Sequence, residues 1–367
     1  MSAPTIPDYA GRSLVNLVAE LEQRLRGSAE SPGLTTPLAA SIPTAETYVL
    51  VLFDGLGAGQ LDHPAAAGLS TDLVAAIDAP FPTTTTVSLA SVATGRPPSQ
   101  HGLLGYQLWL PEAGAVVNTI KWTTLWGDAI DVATGGFLPA PNLWERLRAA
   151  GCEPITVQPG NFTGTPLSSV MYRGCRFEGA YSIPEWVDAV VTLAGQPGRL
   201  IFAYLPHVDF AAHVAGQGSV EYRDAVTAVT RAWTQLTRRL PVGAVAVGTA
   251  DHGHADFPDG RRVKIPKQAH EQRRFFGDAR VVFVRGEGAS LAAELPATWR
   301  TVDDMRHWWG HGPAHPEFDN RAPDGVLVAD DGYVILHRRS DDRLVGNHGG
   351  LTDAERLVPL AVAGAGG

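Results

Sequence analysis

Apolar positions along the chain fall into two kinds of pattern that alternate from about position 48 to 362. Short continuous apolar runs, at 48–53, 154–157, 200–205, 244–248, 280–284 and 357–362, read as buried strands. Between them, 220–240 has apolar residues at helical spacing and ends on Arg238 and Arg239, cations that suit a helix C-terminus. The stretch 143–150 reads as a second helix, stopped by Gly151. A third, small-residue helical stretch, 87–93, follows four threonines and closes at Thr94-Gly95. Strands alternating with helices predict β-α-β construction around a mainly parallel sheet. No internal repeat or low-complexity tract interrupts it.

In open α/β sheets, ligands sit beyond the carboxyl ends of the strands. Asp54, Asp209 and Asp251 each fall just after a strand-like run, so three strand ends are expected to converge on one edge. Any one of these alone reads equally as a turn residue. Asp209 and His213 are four apart, so a helical turn after the strand puts both side chains on one face; an isolated pair of this kind is also an ordinary capping Asp beside a surface His. Adjacent Asp251 and His252 can face one ion only where the strand breaks, and Gly253 offers that break. His348, in Gly346-Asn347-His348-Gly349, completes a set of three Asp and three His. Oxygen and neutral imidazole together suit zinc or manganese, whereas calcium and magnesium favour oxygen alone. The combination points to a metallohydrolase.

The threonine run 83–86 opens its helix where backbone N–H groups are free and the macrodipole is positive, a place that favours an alkoxide or a bound phosphate. Threonine there is also a good N-cap. A threonine hydroxyl is a poor nucleophile at neutral pH, and coordination to a divalent cation stabilises its alkoxide in place of a general base.

The remaining composition narrows the setting. The chain has 367 residues and a formal charge of −9, which argues against a general affinity for nucleic acid or anionic membranes. An anionic substrate would need local compensation, which metals supply. The first nine residues lack the basic start and apolar core of a secretory signal, and no apolar run approaches the roughly 20 residues of a membrane helix, so the expected compartment is the cytoplasm. Cys152 and Cys175 are too few for a disulfide framework. Trp109, Trp122 and Trp126 could form an aromatic wall, although core packing is the better reading of any single tryptophan.

The order Asp54-Gly55, Phe81-Pro82-Thr83-Thr84-Thr85, Thr94-Gly95, Pro206-x-x-Asp209-x-x-x-His213, Asp251-His252-Gly253 and His348-Gly349 resembles the alkaline phosphatase superfamily, and within it the type I phosphodiesterase/nucleotide pyrophosphatase family. The resemblance runs from about position 48 to 362. It implies one α/β catalytic domain over 1–367 with an alkaline-phosphatase-like core: a mainly parallel sheet flanked by helices, plus a smaller inserted lobe within 255–310. It also implies two divalent metals, zinc first and manganese as the alternative. Asp54, Asp251 and His252 would hold one and Asp209, His213 and His348 the other, about 4 Å apart as in two-metal sites. By the family pattern Thr85 is the nucleophile and touches the first metal, with Thr84 and Thr86 the neighbouring hydroxyls that a slip in register would select.

This chain departs from the family in two places. Thr86-Val87-Ser88-Leu89 stands where the family usually has Phe-Pro-Asn-His, and the family's phosphate-binding Asn is replaced near Gly105 and Tyr106. Tyr106, Gln107 or the Thr85 N–H would have to stabilise phosphate instead. The implied activity is hydrolysis of a phosphate diester or pyrophosphate in a small-molecule ester or nucleotide. Phosphomonoester hydrolysis on the same two metals, or a catalytically silent metal-bound scaffold, are the alternatives. His207 and His254, beside proposed ligands, would orient them.

Overall fold

The computed structural model describes residues 5–364. Its centre is a seven-stranded sheet in the order Leu73–Asp78, Leu357–Gly364, Ala244–Thr249, Thr47–Phe53, Arg199–Leu205, Glu153–Pro159, Arg176–Ala180. The last five run parallel, and Leu357–Gly364 is antiparallel to both its neighbours. All seven residues of Thr47–Phe53 are buried, as expected for a strand covered on both faces. Alternation along it feeds two cores. Tyr48, Leu50 and Leu52 join one, with Leu17, Leu21, Val87 and Trp144; Val49, Val51 and Phe53 join the other, with Trp186, Val208, Val229 and Trp233. The fold is thus an α/β sandwich with a mostly parallel sheet between helical layers, as the apolar runs predict. Among the described residues, no helix is long and apolar enough to cross a membrane.

The expected helices form as Leu143–Ala149, Val220–Arg238 and Thr85–Thr94. The first starts with a capping box in which the Asn142 side chain accepts from the Glu145 N–H and the Glu145 carboxylate accepts from the Asn142 N–H. In Val220–Arg238 the residues Tyr222, Val226, Val229, Trp233 and Leu236 are buried at helical spacing. Thr85–Thr94 is buried along nearly its whole length, and its small residues let the sheet and neighbouring helices close on it.

The apolar run 280–284 does not join the central sheet. It forms Val281–Arg285 in a separate antiparallel sheet, ordered Arg274–Asp278, Val281–Arg285, Gly325–Ala329, Ala297–Thr301, with its own core around Phe275, Val282, Val284 and Leu327. Most of this sheet lies in the stretch 255–310; its strand Gly325–Ala329 follows later in the chain. A buried ion pair ties it to the main body. Arg280 Nε donates to Glu355 Oε1 at 3.1 Å, and the two residues are 2% and 0% exposed. The same carboxylate accepts from the Gly350 N–H at 2.9 Å and the Thr352 hydroxyl at 2.7 Å, so every charge-bearing atom is satisfied inside the protein.

Candidate functional site

Strand Thr47–Phe53 delivers Asp54 at its carboxyl end, Ala244–Thr249 delivers Asp251 and His252, and Arg199–Leu205 leads into helix His207–Ala215, which carries Asp209 and His213. These strands are adjacent and parallel, so their ends lie side by side. His348 arrives on the loop after Gly346–Asn347, and its Nδ1 faces the Thr83 carbonyl at 2.8 Å. The six side chains predicted to converge do so, in two groups whose ligand atoms lie within 4.8 Å of one another: Asp54, Asp251 and His252 in one, Asp209, His213, His348 and also His254 in the other.

Gly55 holds the carboxylates together. Its φ of 75° is left-handed, and a Cβ there would lie 2.8 Å from the Asp209 Cα. Its N–H donates to Asp251 Oδ1 at 3.0 Å, while the Asp209 N–H donates to the Asp54 carbonyl at 2.9 Å. Gly55→Ala is therefore expected to destabilise the fold by about 1–3 kcal/mol and to weaken ion retention, read by thermal melting and metal analysis. Gly253 is required for another reason than the turn conformation expected of it: its Cβ would meet the Ala354 carbonyl at 2.0 Å, so close approach of two backbones excludes a side chain.

The charge arrangement explains what such groups can hold. Burial, then the neighbouring Asp251 and Asp209, push the Asp54 carboxyl well above its usual range, since three acidic groups crowd a water-poor site. Tyr204, whose phenol burial and Asp54 keep protonated, donates to Asp54 Oδ2. Asp209 goes the other way: burial opposes its charge, but His213, His254 and His252 hold its carboxyl well below the usual range. Asp251 Oδ2 is buried with no hydrogen-bond partner. His213 and His348 turn Nδ1 to the carbonyls of Gly346 and Thr83, both at 2.8 Å, which places the proton on Nδ1 and the lone pair on Nε2. Those two Nε2 atoms face each other at 3.2 Å. Lone pairs so opposed in one group, and an orphaned carboxylate oxygen in the other, make donor sets that fit divalent cations.

The threonine run divides by contact. Thr83 Oγ1 donates to the Gly350 carbonyl at 2.8 Å, Thr84 Oγ1 reaches Asp278 Oδ1 at 3.4 Å, and Thr86 Oγ1 accepts from Thr119 at 3.0 Å; all three residues are buried. Thr85, the first residue of its helix, is partly exposed, and its Oγ1 lies 3.2 Å from His252 Nε2 and 3.5 Å from Asp54 Oδ1. It lines a cleft of about 280 Å³ together with Tyr106, Gln107, Asp209, His213 and His348. Tyr106 Oη accepts from the Asn118 amide at 3.0 Å, and Gln107 Oε1 is buried without a partner.

Two further histidines were expected to orient the ligands, and they part here. His254 packs into the second group, its Nε2 2.7 Å from Asp209 Oδ1. His207 is exposed and belongs to neither group. Arg339 and Asp278 reach the cleft from far along the chain with no local motif. Asp278 is poorly solvated, with Oδ2 unpartnered, and burial pushes its pKa up to about 7, Thr84 pulling against this and Glu355 adding to it. A folded-state pKa above the unfolded value makes folding take up a proton, so this contribution is present below about pH 4 and lost as pH rises through 7. Asp278→Asn is thus expected to stabilise the protein by about 2 kcal/mol at pH 8 and negligibly at pH 4 in paired denaturation curves.

No curated protein sequence matches this chain. Among solved structures, it is similar to murine ectonucleotide pyrophosphatase/phosphodiesterase 5, with 20% identity, a TM-score of 0.67 and coverage of 86% of this chain and 88% of the other. An inactive form of that murine protein in complex with AMP gives 19%, 0.67, 86% and 87%. Phosphonoacetate hydrolase from Sinorhizobium meliloti, in complex with phosphonoacetate, gives 18%, 0.64, 88% and 91%. Identities this low establish a shared fold. The sequence itself carries the closer relation, for residues 48–351 match the family model of type I phosphodiesterase / nucleotide pyrophosphatase, and the chain belongs to that family.

Proposed function

We propose that this chain is a metal-dependent phosphodiesterase/nucleotide pyrophosphatase that cleaves a phosphate diester or pyrophosphate bond through a phosphothreonine at Thr85. The observation that carries the reading is the singular position of the Thr85 hydroxyl. Of four consecutive threonines, it alone is partly exposed in the cleft, and it touches Asp54 and His252. Asp54, Asp251 and His252 would hold one metal, and Asp209, His213 and His348, with His254 beside them, the other. Two divalent cations bound there supply the positive charge that makes a threonine oxygen nucleophilic and stabilises a departing oxygen.

The residues of the chain do the rest. The helix beginning at Thr85 fixes the hydroxyl by packing, because the segment behind it is buried. The first N–H groups of that helix have no acceptor within it and suit a phosphate oxygen. Tyr106 and Gln107 line the same cleft and can donate to the remaining phosphate oxygens. Thr85 Oγ1 would form the new P–O bond while the bond to the leaving oxygen breaks, leaving the phosphoryl group with its remaining substituent on Thr85; water then cleaves the Thr85 O–P bond and releases that monosubstituted phosphate. Two inversions give retention at phosphorus. The AMP and phosphonoacetate held by the structural neighbours have in common a phosphoryl or phosphonyl group, which agrees with this substrate class.

Arg339, the only lysine or arginine on the cleft wall, favours monoester hydrolysis as a second reading, since a cation there can balance a dianionic phosphate. The test is hydrolysis of bis-p-nitrophenyl phosphate and p-nitrophenyl thymidine monophosphate against p-nitrophenyl phosphate. The two diesters are expected to exceed the monoester in kcat/KM by about tenfold or more, about 1.4 kcal/mol in the barrier. The reverse order would give the protein to the monoesterases, and background rates on all three would leave a silent scaffold.

A further inference from the structure

Beside the cleft lies a second cavity whose charge is opposite to that of the chain as a whole. The formal charge is −9, yet this cavity of about 670 Å³ is walled by Arg273, Arg274, Arg285, Arg338 and Arg339, with Glu271 as its only carboxylate. Cations gathered this closely repel one another, and partners within the protein do not offset it. Arg273 pairs with Glu287 at 3.1 Å, but Arg274, Arg338 and Arg339 make no ion pair among the described residues. Arg285 Nε and Arg339 Nε and Nη2 are buried with no acceptor. His337, 4% exposed on the same wall, accepts the Arg339 N–H at its Nδ1 at 3.2 Å, so its neutral ring carries the proton on Nε2. A buried donor left without an acceptor is destabilising. An anion would satisfy several at once.

The guanidinium groups are already held in place. Arg274 and Arg285 stack on Trp109 at 4.5 and 4.9 Å, and Arg338 lies 5.7 Å over Trp126, on which Arg339 also packs. Stacking fixes planar forks that match phosphate oxygens, lowering the entropy lost on binding. Arg339 lines both this cavity and the cleft of Thr85, so the two adjoin at that residue. We propose that the cavity binds the part of the substrate that is not attacked, and that this part carries one or more further phosphoryl groups. The assignment of substrate class rests on the phosphodiesterase reading of the cleft; the anion site itself does not. A volume of this size suits a small ligand more than a macromolecular surface. Trp126, 68% exposed, leaves indole surface for a planar group attached to the phosphates.

The test is calorimetric titration of metal-loaded Thr85→Ala protein with inorganic triphosphate and, separately, orthophosphate, at matched free metal. Triphosphate is expected to bind about tenfold more tightly or better, and the double variant Arg274→Gln/Arg338→Gln in the same background to lose most of that advantage. Glu271→Gln is expected to tighten triphosphate binding about threefold, a gain that misfolding cannot produce. Triphosphate held no better than orthophosphate, or equally well by the double variant and its parent, would overturn the proposal. Since no turnover is involved, loss of the diesterase reading would be seen separately, as inactivity of the parent enzyme on diesters.

Discussion

Thr85→Ala is expected to lower kcat for diester hydrolysis by at least about 10³-fold while metal content and thermal midpoint stay close to those of the parent. The argument is geometric. The Thr85 side chain fills no core space, whereas its hydroxyl is the one that meets Asp54 and His252 in the cleft. Thr84→Ala and Thr86→Ala are the informative controls. The first removes a long contact to Asp278 and the second a hydrogen bond to Thr119, so each should act on stability or positioning and cost less than about tenfold in kcat. Retention of a tenth of the parent rate by the Thr85 variant, with an intact Thr84 or Thr86 carrying the phosphate label, would move the nucleophile to another position.

Chelation has the second large expected effect, on rate and on stability together. Without cations the first group is a set of crowded acids, with Asp54 displaced far upward and Asp251 Oδ2 without a partner. Binding at a thousandfold excess over Kd contributes about 4 kcal/mol per site, and for a chain of this length each kcal/mol is worth about 2 °C. Metal removal should therefore abolish diester hydrolysis and lower Tm by on the order of 10 °C, with both recovered on adding zinc or manganese. Activity unchanged in protein shown by elemental analysis to be metal-free would exclude a metal role in the chemistry. A fall in Tm with activity at background before and after would fit the scaffold.

How much of this was legible in the chain depends on how far each feature is local. Asp54, Asp251 and His252 end apolar runs, and Asp209 and His213 share a helix face, so spacing alone brings them to one edge. Val281–Arg285 was visible as a strand but not as part of another sheet, because a short run buried on both faces looks the same in parallel and antiparallel company. The edge strands Leu73–Asp78 and Arg176–Ala180 left little signal, being partly exposed and, in the second, mostly polar or small. Asp278 and Arg339 are separated from Thr85 by roughly two hundred residues or more, and only the folded chain brings them to the cleft. The three tryptophans also separate only in the structure: Trp122 is buried against Phe137, Trp109 lies under two arginines, and Trp126 is largely open.

The buried Arg280–Glu355 pair bears on how this protein can be re-engineered. One partner belongs to the antiparallel sheet and the other to the segment that supports the loop of His348. Exchanging the smaller sheet for that of a relative, to alter which esters are accepted, would strand a carboxylate or a guanidinium in a dry interior unless both positions travelled together, a loss of about 3–5 kcal/mol. Chimeras cut at the apparent borders of the insertion would therefore fail for an electrostatic reason lying outside those borders. Co-transfer of position 355 with position 280 is the minimal repair.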